Sequence, residues 1–267
     1  MRKAGLNRMK LTTDNYFSNE AAKEYMSTSQ FKAFMKCPAA IMAEINGEIK
    51  PENKDSYTEG HMFEAIVSGN EELFYMQHPE IISSQGKTKG NVKSNYQKVV
   101  NAAESFNRQR IFCDIVKRCK KQVLVTGVIS GVKFRGLLDL YDPETGEIFD
   151  TKCMKDFKDT YSADEGRRVS WWEAWGYHYQ AAIYSELACQ TFGKATTFSL
   201  LAATKEDVPD VAWIEFDNGY LRNILDIVEE AAPMYQAIKD GLIDGERCEI
   251  CLSLIHISEP TRQAEIS

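Results

Sequence analysis

Asp139, Asp150 and Lys152 flank one short turn, and their types suit phosphodiester chemistry. The segment reads KFRGLLDLYDPETGEIFDTKCM: two apolar, β-prone runs around DPETGE, which is made of turn formers. Folding the hairpin between Glu144 and Thr145 sets Tyr141 opposite Ile148 and Asp139 opposite Asp150. Directly opposed residues of an antiparallel pair have Cβ atoms ~5 Å apart. Two carboxylates at that distance repel unless a shared cation draws them together, and hard cations such as Mg²⁺ take carboxylate oxygens. Lys152 lies two residues beyond Asp150, so strand alternation points it to the same face. Metal plus ammonium at one spot suits hydrolysis of a phosphodiester: the one activates water, the other offsets charge on the phosphate. The same three residues also fit a solvated ion pair, because short motifs recur by chance.

Other elements must position this hairpin. Ser27 or Ser29 caps a predicted helix through QFKAFMKCPAAIMAEIN, which Pro38 kinks or restarts and Gly47 ends. KPENKDSYTE reads as a polar loop and GHMFEAIVSG as a short helix between glycines. Residues 92–120 carry two helical patterns. QVLVTGVISGVKFRGLLDLY is β-rich with a turn near Gly131. KDFKDTYSADEGRRVS is polar and predicted to be a mobile loop. A helix is predicted over 172–191, strands at TTFSLLAAT and VAWIEFD, and a last helix over 219–240. This order gives an α/β fold with a central mixed β-sheet flanked by helices.

Several side chains could join the hairpin. Tyr177, Gln180 and Tyr184 share one helix face at spacings of three and four, which fits core plus rim or a substrate-facing amphipathic surface. His61 and Glu64 also share a face, as a metal ligand set or as a surface pair. Trp171, Trp172 and Trp175 could stack on bases but also read as a hydrophobic anchor. Lys155, Lys158, Arg167 and Arg168 could bind a phosphate backbone or form a solvated loop. Cys248 and Cys251 form a C-x-x-C, with Cys37 as a third candidate. A zinc or iron–sulfur site needs four ligands, so free thiols fit equally. Cys113, Cys119, Cys153 and Cys189 read as buried thiols.

The 267 residues are 43% hydrophobic and 27% charged, with net charge −7. That composition is globular and excludes a surface coated in basic charge, though not a local cationic groove. No run of residues is long and apolar enough for a membrane span, and no signal peptide is evident, with Met9 an alternative start. Seven cysteines at irregular spacing then fit a reducing cytosol. Segment 252–267, LSLIHISEPTRQAEIS, resembles a translated sequencing adapter. Residues 1–251 are therefore read as one domain and 252–267 as a non-native tail, with the native chain expected to run on past Cys251.

Together these segments resemble the PD-(D/E)xK nuclease superfamily, and within it the RecE-type, exodeoxyribonuclease VIII-like exonucleases of phage and prophage. The likeness covers most of 9–251: the opening MKLTTDNYFSNEAAKEYMSTSQFKAFMKCP, the hairpin GLLD…IFDTK, the helix GYHYQAAIYSE, then LLAATKE and RCEIC. The resemblance implies a restriction-endonuclease-like core in which Asp139 and Asp150 hold Mg²⁺ or Mn²⁺. Lys152 would position water or stabilise the pentavalent phosphate, and Gln180 and Tyr184 would support the DNA or the site. Many relatives carry G-x-x-x-H with the histidine as metal ligand; counting from Gly60 lands on Glu64, not His61, and a carboxylate is the harder ligand. Asp150 stands where some relatives have Glu. Cys37, Cys248 and Cys251 match in outline the cysteines that hold an iron–sulfur cluster in related nucleases. The implied activity is exonucleolytic hydrolysis of duplex DNA ends in a bacterial cytoplasm, with a homo-oligomeric ring and a single-strand annealing partner in phage recombination. A catalytically inactive relative that grips DNA ends or a protein partner is the alternative, and a redox or metal-storage protein built on the cysteines is a third reading.

Overall fold

The structure is a computed structural model that describes residues 9–49, 55–163 and 165–248. In chain order the elements are α1 (Asn19–Glu24), β1 (Met26–Ser27), α2 (Thr28–Lys36), α3 (Pro38–Asn46), α4 (Asp55–Val67), α5 (Glu71–Gln77), α6 (Gln97–Asn107), α7 (Arg110–Arg118), β2 (Lys120–Ile129), β3 (Val132–Tyr141), β4 (Glu147–Met154), β5 (Thr160–Ser162), β6 (Arg167–Val169), α8 (Trp171–Ala174), α9 (Tyr177–Phe192), β7 (Thr197–Thr204), β8 (Val211–Phe216) and α10 (Asn218–Lys239). Short 3-10 turns join α5 to α6.

Local chemistry sets the boundaries. Ser27 and Gln30 form a reciprocal capping box at the start of α2. Pro38 opens α3, where its missing N–H costs nothing, and Gly47 closes it in the left-handed conformation. Ser130 and Gly131, both at positive φ, make the two-residue hairpin between β2 and β3.

The sheet is mixed and six-stranded. β3 pairs antiparallel with β2 along one edge. Its other edge is shared: β1 lies parallel at Phe134 and Arg135, and β4 antiparallel at Leu140 and Tyr141. β4 continues parallel to β7, and β7 antiparallel to β8. One hydrophobic core packs α2, α3, α9 and α10 against one face, including Phe31, Phe134, Phe198 and Leu200. A second packs α4 to α7 against the other, including Phe63, Phe106, Phe149 and Leu201. This is the expected α/β architecture, a central mixed sheet flanked by helices.

Four local expectations are corrected. Gly60 lies inside α4, which starts at Asp55, so that part of the expected polar loop is helical; residues 50–54 lie outside the described residues. The expected mobile loop over 155–170 contains the β5–β6 hairpin, tied down by Arg167 ion pairs to Glu165 and Glu173. The expected helix over 172–191 is two helices, broken at Trp175 and Gly176, where Gly176 has φ 64°. Cys189 is exposed rather than buried, and Cys113 and Cys153 are half-buried.

Candidate active site

The free stretch of β3 is where the site forms. Between Arg135, the last partner of β1, and Leu140, the first of β4, this edge has no strand beside it. Unpaired backbone groups need other partners, and side chains supply them. The Tyr184 hydroxyl bonds to the backbone of Leu137. Asp139 accepts from the Thr151 N–H at 2.9 Å and the Thr151 hydroxyl at 3.2 Å. Tyr141 does face Ile148, as the turn geometry requires. The ladder then stops at Leu140–Phe149, so Asp139 is not paired with Asp150 as the turn geometry predicts; its carboxylate takes the N–H of Thr151 instead, and the two strands fork.

The fork is marked on β2 as well. Gln122 lies opposite Asp139, between the pairs Lys121–Leu140 and Val123–Leu138, and is missing from the ladder. It has φ 52°, a left-handed conformation unusual for a non-glycine residue in a strand. Side-chain alternation along β3 also slips there: Leu138 packs in one core, while Leu140, two residues on, packs in the other.

The predicted residues converge on this fork from both sides of the sheet. Asp150, 1% exposed, is ion-paired with Lys152, and the Gln180 amide donates to its other oxygen at 2.7 Å. Glu64 comes from α4 on the opposite face and accepts a hydrogen bond from Gln122. Tyr177, Gln180 and Tyr184 do share one face of α9. The Lys152 ammonium lies 5.0 Å from the Tyr177 ring centroid, within cation–π reach. The Tyr184 ring packs on Gly136, where an added Cβ would come within 2.9 Å of it. Tyr184 also hydrogen-bonds Tyr16, whose ring lies under the buried Arg135 guanidinium at 4.7 Å. Tyr184 thus braces β3 rather than bonding to either aspartate.

Electrostatics mark the cluster. Burial, then the Glu64 charge, pushes Asp139 up to about 6, against the pull of Lys152 and Thr151. Asp150 is also raised by burial, with Lys152 opposing and Asp139 adding repulsion. Glu64 is raised by burial and by Asp150. Burial works against the charged form of Lys152, but Asp150 and Asp139 outweigh it and hold the ammonium. Neighbouring acids that repel and push one another upward are a signature of functional sites.

The structure separates Glu64 from His61. Glu64 is electrostatically joined to both aspartates. His61 packs against Tyr57 with ring centroids 4.1 Å apart, and its pKa is lowered by burial and by His78. Both line a cleft of about 310 Å³ with Phe17, His78 and Lys121. Trp171 and Trp172 anchor aromatic packing, whereas Trp175 is exposed. Cys37 is buried at the start of α3; the Ala39 N–H donates to the carbonyl of Glu246, bringing the segment of Cys248 back to it. Cys251 lies outside the described residues.

Asp139, Asp150 and Glu64 offer oxygen donors of the hard type that Mg²⁺ or Mn²⁺ takes. Among the described residues no three His, Cys, Asp or Glu side chains stand close enough to hold a metal ion as they are. The reason is local: Glu64 is engaged by Gln122, Asp139 by Thr151, and Asp150 by Lys152 and Gln180. Closing the three acids onto one ion requires some of these partners to give way.

Sequence reasoning missed Lys32, Gln122 and Thr151. Lys32 on α2 lies 5.4 Å from the same Tyr177 ring and donates to the Trp175 carbonyl at 3.2 Å. No sequence spacing joins these residues to the hairpin except for Thr151, which stands inside the D-x-K motif.

A forked sheet with two aspartates and a lysine at the fork, helices on both faces, defines the PD-(D/E)xK type of nuclease fold. The chain belongs to the family described as a PDDEXK-like domain of unknown function (DUF3799), which it matches over residues 27–256. It is similar to the crystal structure of a "Putative exonuclease" from Eubacterium rectale, with 30% identity, 93% of each chain covered and a TM-score of 0.84. The crystal structure of SSO0001 matches 77% of this chain and 85% of its own at 15% identity, with a TM-score of only 0.27. No curated protein matches.

Proposed function

We propose that this protein is a divalent-metal-dependent deoxyribonuclease that hydrolyses phosphodiesters at duplex DNA ends. One arrangement supports the reading: Asp139, Asp150 and Glu64 act on one another electrostatically at a break in the sheet, where Lys152 is ion-paired with Asp150. The exonuclease description of the Eubacterium rectale protein supports the same class.

Asp139, Asp150 and Glu64 would hold Mg²⁺ or Mn²⁺, which supplies Lewis acidity and a water of lowered pKa. The Lys152 ammonium, kept charged by the aspartates, would bind a non-bridging oxygen of the scissile phosphate and share the charge that builds on it. The Gln180 amide fixes the Asp150 carboxylate, and Thr151 fixes that of Asp139. Tyr177 and Tyr184 hold Lys152 and β3 in place. None of these groups needs to form a covalent bond to the substrate.

The finer reading is exonucleolytic and RecE-like: digestion of one strand from an end, in phage-type recombination in a bacterial cytoplasm, by a homo-oligomer working with a single-strand annealing protein. No helix among the described residues is long and apolar enough to cross a membrane. An iron–sulfur cluster on Cys37, Cys248 and Cys251 would need a fourth ligand and is supported only by the return of the Cys248 segment to α3.

Nucleotide release from linear duplex DNA with Mg²⁺ tests the proposal. Wild type is expected to release nucleotides, and Asp150→Ala to be at least ~100-fold slower, the scale of losing a key electrostatic group. Release equal in both, or none from wild type, removes hydrolysis at this fork; the latter with retained DNA binding would favour an inactive end-binding relative.

A further inference from the structure

We infer that Lys32 is a second phosphate-binding residue of this site, taking the phosphate next to the scissile one along the same strand. The inference rests on the nuclease reading above and adds a substrate contact from a distant part of the chain. Lys32 lies in the second turn of α2, directly after β1. Because β1 pairs with β3 at the edge of the fork, α2 starts beside the site. Phe31, the preceding residue, is in contact with Tyr179 and Tyr235 and anchors the same turn in the core.

The Lys32 and Lys152 ammonium groups lie 5.4 and 5.0 Å from the centroid of one ring, that of Tyr177. Their separation is therefore at most the sum of two such distances, a span suited to neighbouring phosphates of one strand. Gly176 makes the room: a Cβ there would come within 2.9 Å of Lys32 Cδ, so the break between α8 and α9 also admits the lysine stem.

What Lys32 lacks is an anion. Of the other half-buried lysines among the described residues, Lys133, Lys152 and Lys205 each have a carboxylate partner, and Lys194 and Lys239 each donate to two oxygen acceptors. Lys32 is half-buried too, yet among the described residues it makes no ion pair and its one hydrogen bond goes to the Trp175 carbonyl. An ammonium has three donors. Burial first, then the Lys152 charge, lowers its pKa to about 8, with Asp150 opposing. A desolvated cation beside a like charge, with donors to spare, is stabilised by an incoming anion. The nucleic acid backbone is the anion that the proposed reaction brings to the neighbouring Lys152.

The competing role is structural, with Lys32 merely capping the Trp175 carbonyl. Binding of linear duplex DNA by fluorescence anisotropy, with Ca²⁺ replacing Mg²⁺ and salt varied from about 50 to 200 mM, separates the two. Lys32→Met and Lys32→Gln are compared with Lys32→Arg; the glutamine can still donate to the carbonyl but carries no charge. Expected for both neutral variants is about 5- to 10-fold weaker binding, with the log–log salt slope reduced by close to one phosphate contact, ~0.9. In Mg²⁺ the KM should rise in proportion while kcat changes less than about 3-fold, and Lys32→Arg should restore both. Affinity and salt slope equal to wild type in a folded Lys32→Gln overturn the inference, as does a loss of Tm alone. Wild type that binds with a Lys32-dependent slope but releases no nucleotide sinks the nuclease reading and leaves Lys32 as a DNA contact. Wild type that cleaves with a Lys32-independent slope does the reverse.

Discussion

The two edges of β4 are built differently. Along β7, every residue from Glu147 to Met154 has a partner, from Glu147–Thr197 through Met154–Thr204. Along β3, only Ile148 and Phe149 do. Both edges begin at the same end of the strand, and one closes while the other opens. The closed edge sits between two apolar cores, with Leu200 and Ala202 on one face and Leu201 and Ala203 on the other. The open edge carries Asp139, Asp150 and Lys152. Sheet stability and site chemistry are thus divided between the two sides of a single strand. The fork leaves the acids on an edge without strand pairing, and the intact ladder keeps Asp150 and Lys152 in register.

This division can be broken from either side. The largest effect on stability is expected at the closed edge. Leu200 is fully buried opposite Ile214, and it pairs with Asp150 across the ladder. Leu200→Ala should cost about 2–5 kcal/mol in denaturant unfolding while leaving kcat per folded molecule within a few-fold of wild type. Loss of kcat without loss of stability would show that the two edges are not separable in this way.

Gly136 joins the edges through α9. A Cβ at this position meets the Tyr184 ring at 2.9 Å and a Val125 methyl at 3.1 Å. Gly136→Ala should destabilise by about 1–3 kcal/mol through overpacking and lower kcat, because Tyr184 holds the free stretch of β3. An unchanged Tm would mean that the ring moves aside freely.

The smallest effect is on pH dependence. The folded pKa of Asp139 lies above its unfolded value, at about 6 against 3.8. A carboxyl raised on folding destabilises the native state when ionised, so its cost is full above pH 6 and fades as pH falls toward 4. Asp139→Asn removes that cost but also leaves the Thr151 donors with a weaker acceptor. In metal-free buffer its Tm relative to wild type should therefore be more favourable at pH 8 than at pH 4, by a few degrees. A constant difference across that range would contradict the burial of an ionised Asp139.

The sequence carried the chemistry of the open edge better than its shape. Asp139, Asp150 and Lys152 were legible because turn residues and strand alternation are local rules, and the Tyr141–Ile148 register follows from them. Gln180 was legible from helix periodicity, and the structure places it on Asp150. The fork was not legible, since it depends on β1 and β4 sharing one edge of β3, which no local pattern encodes. Lys32 and Gln122 were missed for the same reason: their partners Tyr177 and Glu64 are distant in sequence. The glycines misled in both directions. Gly60 reads as punctuation but sits within α4, where packing of Met62 and Phe63 into the second core sustains the helix. Gly176 reads as part of a helix but breaks it, because its backbone takes the left-handed conformation at φ 64°. The polar composition of 155–170 suggested a mobile loop, whereas Arg167 and its two acidic partners fasten a small hairpin.

Binding of Mn²⁺ followed by electron paramagnetic resonance tests the open edge most directly, since free and bound Mn²⁺ give different signals without any need for turnover. One ion per wild-type chain is expected, lost in Asp139→Asn and in Asp150→Asn and weakened in Glu64→Gln, with Leu200→Ala binding as wild type does. Absence of bound Mn²⁺ at millimolar ion, or equal binding by wild type and both aspartate variants, would contradict a cation site at the fork.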